Sequence, residues 1–164
     1  MDIREATEID FDRIWPLFHE IVSAGDTYAI DRNTRREEAL NLWLRKPHKT
    51  FVVEDRGDLL GTYYIKPNHP GPGSHVCNCG YMVASRARGR GIATAMCEHS
   101  QQIARELGYK AIQFNLVVST NTVAVDLWKR LGFEIVGRLP KAFTHPVRGY
   151  VDAFVMYKWL AATP

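Results

Sequence analysis

Little in this sequence points to a membrane, a metal or a nucleic acid. Among 164 residues no apolar run reaches the roughly 20 residues that a membrane-crossing helix needs. The N-terminus Met1-Asp-Ile-Arg-Glu5 has neither the basic start nor the apolar segment of a secretory signal, so a cytoplasmic location with no membrane partner is expected. The three cysteines, Cys77, Cys79 and Cys97, are too few for a disulfide framework. Cys77-x-Cys79 has no second Cys or His pair at zinc spacing, which leaves no metal site in the reading and makes these thiols small packing residues. With 21 basic and 18 acidic residues the net charge is +3, too mild for a nucleic-acid surface. Internal repeats, linkers and low-complexity stretches are missing, which leaves a single domain over residues 1–164. So are two nucleotide motifs: there is no Gly-x4-Gly-Lys-Ser/Thr, and no third glycine or acidic strand end of a dinucleotide fingerprint.

What the chain does have is a glycine-rich junction in residues 83–96, Val-Ala-Ser-Arg-Ala-Arg-Gly-Arg-Gly-Ile-Ala-Thr-Ala-Met. A strand-like segment, residues 75–83, runs into it; Ile92, Met96, Ile103 and Leu107 then recur near helical spacing until Gly108. The glycines therefore sit at a strand-to-helix turn. The first N–H groups of a helix lack internal partners and the helix dipole adds partial positive charge, so such a turn suits a phosphate or pyrophosphate. Gly89 and Gly91 offer no Cβ to hold an anion away, and Arg86, Arg88 and Arg90 add positive charge. On the glycines alone, a solvated Arg/Gly turn explains the stretch equally well.

Around this junction the pattern reads β-α-α, an antiparallel β-β-β run, then α-β-α-β-β. Residues 3–7 read as a short strand, and the helix after them carries Phe11, Ile14, Trp15, Phe18, Ile21 and Val22 on one face. A polar and aromatic loop spans residues 27–33 and a second helix residues 35–46. Strands at 50–54 and 59–66 flank a turn, and the Pro/Gly-rich residues 67–74 end that hairpin before the strand 75–83. A strand at 110–118, a short helix at 122–131 and strands at 133–139 and 150–159 follow, with residues 140–149 as a long connection. The expected architecture is α/β (α+β mixed): a central mixed, mostly antiparallel sheet with helices on both faces.

Arg88-Gly89-Arg90-Gly91-Ile92-Ala93 resembles the Arg/Gln-x-x-Gly-x-Gly/Ala signature of the GNAT acyltransferase superfamily, and the order of elements resembles that fold from end to end. The Gly132-Phe133 step after an amphipathic helix is similar to its late helix-to-strand junction. Within the superfamily, several stretches resemble the fungal azetidine-2-carboxylate (proline-analogue) N-acetyltransferases. They are Gly61-Thr-Tyr-Tyr-Ile-Lys-Pro-Asn68, His75-Val-Cys-Asn78, Phe114-Asn-Leu-Val117, Thr120-Asn121, Leu127-Trp128 and Val151-Asp-Ala153, spread over residues 60–158. The first sixty residues contribute little.

The resemblance implies transfer of acetyl from acetyl-CoA, a co-substrate used without a metal, to the amino group of a small amino-acid-like substrate. It implies that Arg88, Gly89, Arg90, Gly91, Ile92 and Ala93 hold the coenzyme pyrophosphate. The main chain of Met82 and Val83 would pair with pantetheine and the thioester carbonyl, and Asn121 and Trp128 would border the coenzyme. Asn115, in Phe-Asn-Leu-Val, would orient the substrate, with Tyr28, Lys66 and Asn68 as further substrate contacts.

Each residue also has an ordinary role available. Asn121 suits the N-cap of the helix 122–131, Asn115 a buried paired amide, and Lys66 a solvated strand end. Trp128 stands where many GNAT enzymes carry a tyrosine that protonates the departing thiolate, and an indole N–H is too weakly acidic for that. The strand 75–83 has no carboxylate and offers only His75 and Asn78 as polar side chains, with His75, beside a Pro/Gly loop, as a candidate base. Three readings compete. One is acetylation of a proline analogue; another is acetylation of a phosphinothricin-like amino acid, an amine, or a protein N-terminus or lysine; the third is a non-catalytic acyl-CoA-binding module. Exposed strand ends are compatible with a homodimer.

Overall fold

The chain's computed structural model describes residues 1–161. β1 (Asp2–Glu5) leads through a 3-10 turn at Glu8–Asp10 into α1 (Phe11–Ala24) and then α2 (Arg36–Leu40), which runs on as a π-helical turn at Asn41–Arg45. β2 (Lys49–Asp55) and β3 (Asp58–Pro67) form the hairpin, and β4 (Val76–Val83) feeds α3 (Ile92–Glu106). β5 (Ala111–Val118), α4 (Thr122–Arg130), β6 (Glu134–His145) and β7 (Gly149–Trp159) complete the chain. The seven strands make one sheet in the order β1-β2-β3-β4-β5-β7-β6. Every neighbour pair is antiparallel except β4 with β5.

Successive strand side chains point to opposite faces, and neighbouring tyrosines of β3 show what covers each. Tyr63 turns to α3, its hydroxyl 2.7 Å from His99 Nδ1. Tyr64 turns the other way, where Trp43 meets it edge-on at 4.8 Å. Trp43 in turn packs on Phe18 of α1 at 5.8 Å, and the α1 stripe of Phe11, Ile14 and Phe18 is fully buried. Helices thus cover both faces of a mostly antiparallel sheet, as the alternation of elements implied. All three cysteines are free and buried. Among the described residues no helix is long and apolar enough to cross a membrane, and no group of His, Cys, Asp or Glu is placed to hold a metal.

The expected long connection at residues 140–149 is corrected. β6 continues to His145 and turns into β7 after only residues 146–148. Pro140 does not end the strand because β6 is the sheet's outer edge, where a missing N–H is tolerated. The register instead shifts between Leu139 and Phe143, Lys141 adopts φ +53°, and its N–H donates to Asp152 Oδ1 at 2.9 Å. Phe143, 7% exposed, then returns to the sheet opposite Val151.

The first strand is held at the other edge by charge. Asp10, 5% exposed, accepts from Arg4 at 2.7 and 2.9 Å and from Thr7 N–H at 2.8 Å, while Arg4 also reaches Glu54 at 2.8 Å. The Arg4 guanidinium therefore holds the Asp10 carboxyl well below the usual carboxylate range. A depressed folded-state pKa stabilises the fold above the unfolded value of about 3.9 and is lost as pH falls below it. Asp10→Asn should lower stability at neutral pH and lose less of it between about pH 5 and pH 3 than the wild type, a difference read from urea unfolding at the two pH values.

Candidate active site

β4 and β5 lie side by side only at their starts. They pair at Val76↔Ala111 and Cys77↔Ile112, with Lys110 N–H donating to His75 O at 2.8 Å; beyond this the strands part into a fork. Each keeps its outer ladder, β4 with β3 as far as Val83 and β5 with β7. A strand residue points its N–H and C=O to one edge and its neighbour's to the other. Ala84 N–H bonds Leu60 O on the β3 side, whereas His75 O is bonded on the β5 side. The main chains of Cys79, Tyr81 and Val83 therefore face the fork, and Tyr28 Oη donates into it, 2.7 Å from Tyr81 O. Met82 has the opposite parity: its main chain lies in the β3 ladder opposite Thr62 and its side chain is buried. The expectation that Met82 offers backbone groups to a ligand is corrected to Tyr81, beside Val83.

The β5 side of the fork carries a bulge. Phe114 faces Met156 and Val117 faces Phe154, so Asn115 and Leu116 together oppose the single residue between. Asn115 is exposed, which rules out the buried-amide role considered for it. Its Nδ2 donates to Asn68 Oδ1 at 2.7 Å, and Gln113 Nε2 donates to its Oδ1 at 3.0 Å. Asn68 and Asn115, 47 residues apart, are thus brought together, with Gln113 as an unforeseen third amide. Lys66 stands on the same face, its ammonium 5.1 Å from the Tyr64 ring, and forms no ion pair among the described residues. Tyr64 lies across Gly80, where a Cβ would come within 2.6 Å of the ring, and its hydroxyl bonds Asn78. Burial pushes the Tyr28 and Tyr64 phenols well above their ordinary range, so both remain donors at neutral pH.

The α3 face of the fork is an aromatic wall. Tyr81 packs on Trp128 at 5.1 Å, Trp128 on Phe114 at 5.1 Å, and Phe114 stacks on Phe133 at 4.4 Å. Trp128, 8% exposed, closes that side as a packed ring. Behind it Lys158 donates to Gln101 Oε1 at 2.6 Å and Leu131 O at 2.7 Å, tying β7 to α3 and to the end of α4.

At the open end of β4 the chain makes a 3-10 turn at Ser85–Ala87 and enters α3. Gly89 and Gly91 sit at φ +74° and +77°, a region that L side chains seldom adopt, and nothing lies within 4 Å of where either Cβ would be. The glycines therefore leave the first amides of α3 bare. Ile92 and Ala93 supply such amides, while the Ile92 side chain is buried beside Gly61. The arginines divide their work: Arg86 donates to Leu59 O at 3.1 Å and Arg90 to Asp55 at 3.2 Å, both anchoring the turn to the β2–β3 hairpin. Arg88 is exposed and makes no side-chain hydrogen bond or ion pair among the described residues. Bare helix amides with one uncommitted guanidinium form a donor set that fits a pyrophosphate.

Other expected residues fall less centrally. Asn121 caps α4, accepting from Ala124 N–H at 3.4 Å. His75 is exposed at the closed end of the fork, its Nδ1 3.2 Å from Pro72 O, on the far side of the paired residues; on this placement we assign it no part in proton transfer. A surface hollow of about 620 Å³ lined by Trp15, His19 and Arg32 takes in none of the fork residues. Tyr64, Tyr81 and Gln113 were not among the expected site residues, and Asn78 entered only as one of two polar side chains of its strand. Asn78 had one available signal, a lone amide between two cysteines in a strand otherwise apolar.

A family model described as the acetyltransferase (GNAT) family matches residues 12–133. The chain is 32% identical over 151 residues to the N-acetyltransferase aca1 of Schizosaccharomyces pombe, spanning 82% of this chain and 72% of that protein. It is 34% identical over 109 residues to the L-amino acid N-acetyltransferase AaaT of Escherichia coli, 66% of each. Among solved structures, a GCN5-related N-acetyltransferase from Kribbella flavida superposes with a TM-score of 0.92 at 47% identity over 97% of both chains. The fold is also that of yncA from Salmonella typhimurium, solved with acetyl-CoA, at a TM-score of 0.84 and 20% identity over 100% of this chain and 96% of that one. Arg88→Ala should weaken coenzyme A binding about tenfold, and the remaining affinity should vary less with salt, without a change in unfolding midpoint; calorimetric titration at low and high salt checks this.

Proposed function

The chain belongs to the GNAT acetyltransferase family, and from that premise we propose that it transfers acetyl from acetyl-CoA to the amino nitrogen of a small amino acid, a cyclic proline analogue such as azetidine-2-carboxylate. The observation that carries this reading is the acceptor side of the fork. There the amides of Gln113, Asn115 and Asn68 form a hydrogen-bonded row. Lys66, on the same face, carries a cation without a carboxylate partner among the described residues. Neutral amides with one free ammonium suit an amino acid's carboxylate and leave its amine unpaired, which attack requires. The name of the relative AaaT, an L-amino acid N-acetyltransferase, points the same way.

The roles follow from position. Arg88 and the first amides of α3 hold the coenzyme pyrophosphate, with Gly89 and Gly91 keeping the approach open and Arg90 steadying the turn. The fork-facing main chains of Tyr81 and Val83 pair with pantetheine and present an N–H to the acyl oxygen, fixed in place by the β3 ladder behind them. The bound thioester supplies an acyl carbon open to attack by a neutral amine. Trp128 and Asn121 border the coenzyme as a wall and a helix cap. Tyr28 and Tyr64 stay protonated and serve as donors, and no imidazole or carboxylate belongs to the residues placed around the fork. The acceptor's proton therefore leaves through water, and the departing thiolate takes its proton from water too. On this account the rate climbs with pH toward the pKa of the acceptor amine.

Thiol release from acetyl-CoA should be measured over azetidine-2-carboxylate, cis-4-hydroxyproline, phosphinothricin, common amino acids, polyamines and a peptide amine. Lys66→Met should raise KM for the amino acid about tenfold with KM for acetyl-CoA unchanged, and Asn115→Ala should lower kcat/KM by a similar factor. The acceptor's methyl ester should erase the difference between Lys66→Met and wild type, because the group that Lys66 recognises is gone. Turnover confined to polyamines or peptide amines would discard the amino-acid assignment and leave the coenzyme assignment standing.

A further inference from the structure

At the closed end of the fork sits the side chain of Asn78. Two residue pairs hold β4 to β5, Val76↔Ala111 and Cys77↔Ile112. In a parallel ladder a residue bonds the two residues flanking its counterpart, so the next rung would join Cys79 N–H to Gln113 O. That rung is replaced. Gln113 O accepts instead from Asn78 Nδ2 at 2.9 Å, and the other end of the same amide, Oδ1, accepts from Tyr64 Oη at 3.0 Å. Asn78 is 8% exposed, so both bonds lie where an unpaired amide would be strongly unfavourable. Tyr64 is itself immobilised, lying over Gly80 on one side and against Trp43 on the other.

We propose that Asn78 is the positioning residue that stops the β4–β5 ladder and sets how far the fork opens. By occupying the Gln113 carbonyl it withholds that rung from Cys79 N–H, and the edge of β4 from Cys79 onward stays available to the acyl donor. Tyr64 fixes the direction of the device: with its hydroxyl donating to Oδ1, only Nδ2 is left to face β5. Without the amide the two strands have matched main-chain partners one step further along and zip toward Tyr81, narrowing the coenzyme seat. The inference rests on the acetyl-CoA reading of the fork and concerns the seat of the coenzyme, not the choice of acceptor.

The experiment reads main-chain protection and coenzyme affinity, not turnover. In the coenzyme-free protein, amide hydrogen exchange followed by NMR should show Cys79 N–H at least about tenfold more protected in Asn78→Ala than in wild type, because the missing rung has formed. Calorimetric titration should show acetyl-CoA binding weakened about tenfold in the same variant. Asn78→Asp, which keeps the size but has no N–H for Gln113 O, should lose coenzyme affinity as well, whereas Tyr64→Phe keeps the Asn78–Gln113 bond and should lose less. Unchanged Cys79 protection in Asn78→Ala overturns the proposal. So does acetyl-CoA affinity within about twofold of wild type in both Asn78 variants while circular dichroism shows them folded. A wild-type protein that does not bind acetyl-CoA at all would overturn the reading of the fork on which the proposal rests, and an error in the acceptor assignment would leave every one of these readouts unmoved.

Discussion

A strand has two edges, and the site proposed for this protein depends on β4 using only one of them along most of its length. On the β3 side its main chain is paired from Cys77 to Val83, which makes it rigid. On the β5 side two pairs form and the ladder stops. Rigidity on one edge and freedom on the other are what a site for an extended ligand needs: the N–H groups that receive it are already oriented, and no water-exposed loop has to be ordered first. The same alternation decides which residues can serve. Tyr81 and Val83 turn their main chains to the fork while Met82, between them, is committed to β3.

The two faces of the fork are built from different chemistry because different helices cover them. Toward α3 and α4 the side chains of Tyr81, Phe114, Trp128 and Phe133 interlock as a packed aromatic surface. Toward α1 and α2 the row of Gln113, Asn115 and Asn68, with Lys66 nearby, keeps polar groups satisfied by one another and still able to meet a small charged molecule. Trp128 belongs to the first face and carries no ionisable proton, so on the proposed reading the wall beside the coenzyme is separate from any path for protons.

The order of elements, the β2–β3 hairpin and the strand-to-helix turn with Gly89 and Gly91 were legible in the sequence, since each rests on local rules: periodicity, turn chemistry and the needs of a helix N-terminus. The juxtaposition of Asn68 with Asn115 was named only as two separate candidates. Their contact depends on β3 and β5 flanking β4, a matter of sheet order. Residues 140–149 read as a connection, whereas β6 runs through Pro140 because that strand is the outermost one, where a missing N–H is tolerated.

The sequence by itself determined what is decided within a few residues: helices and strands in this order, and a glycine turn with three arginines at the start of a helix. Only the tertiary structure decided where β4 and β5 part, that Tyr81 and not Met82 offers its main chain there, that Arg86 and Arg90 are spent on the hairpin, and that His75 lies outside the fork. The physical reason is that hydrogen-bond partnership across a sheet joins residues tens of positions apart. Which edge of a strand is free depends on its neighbours, and no periodicity within the strand records them.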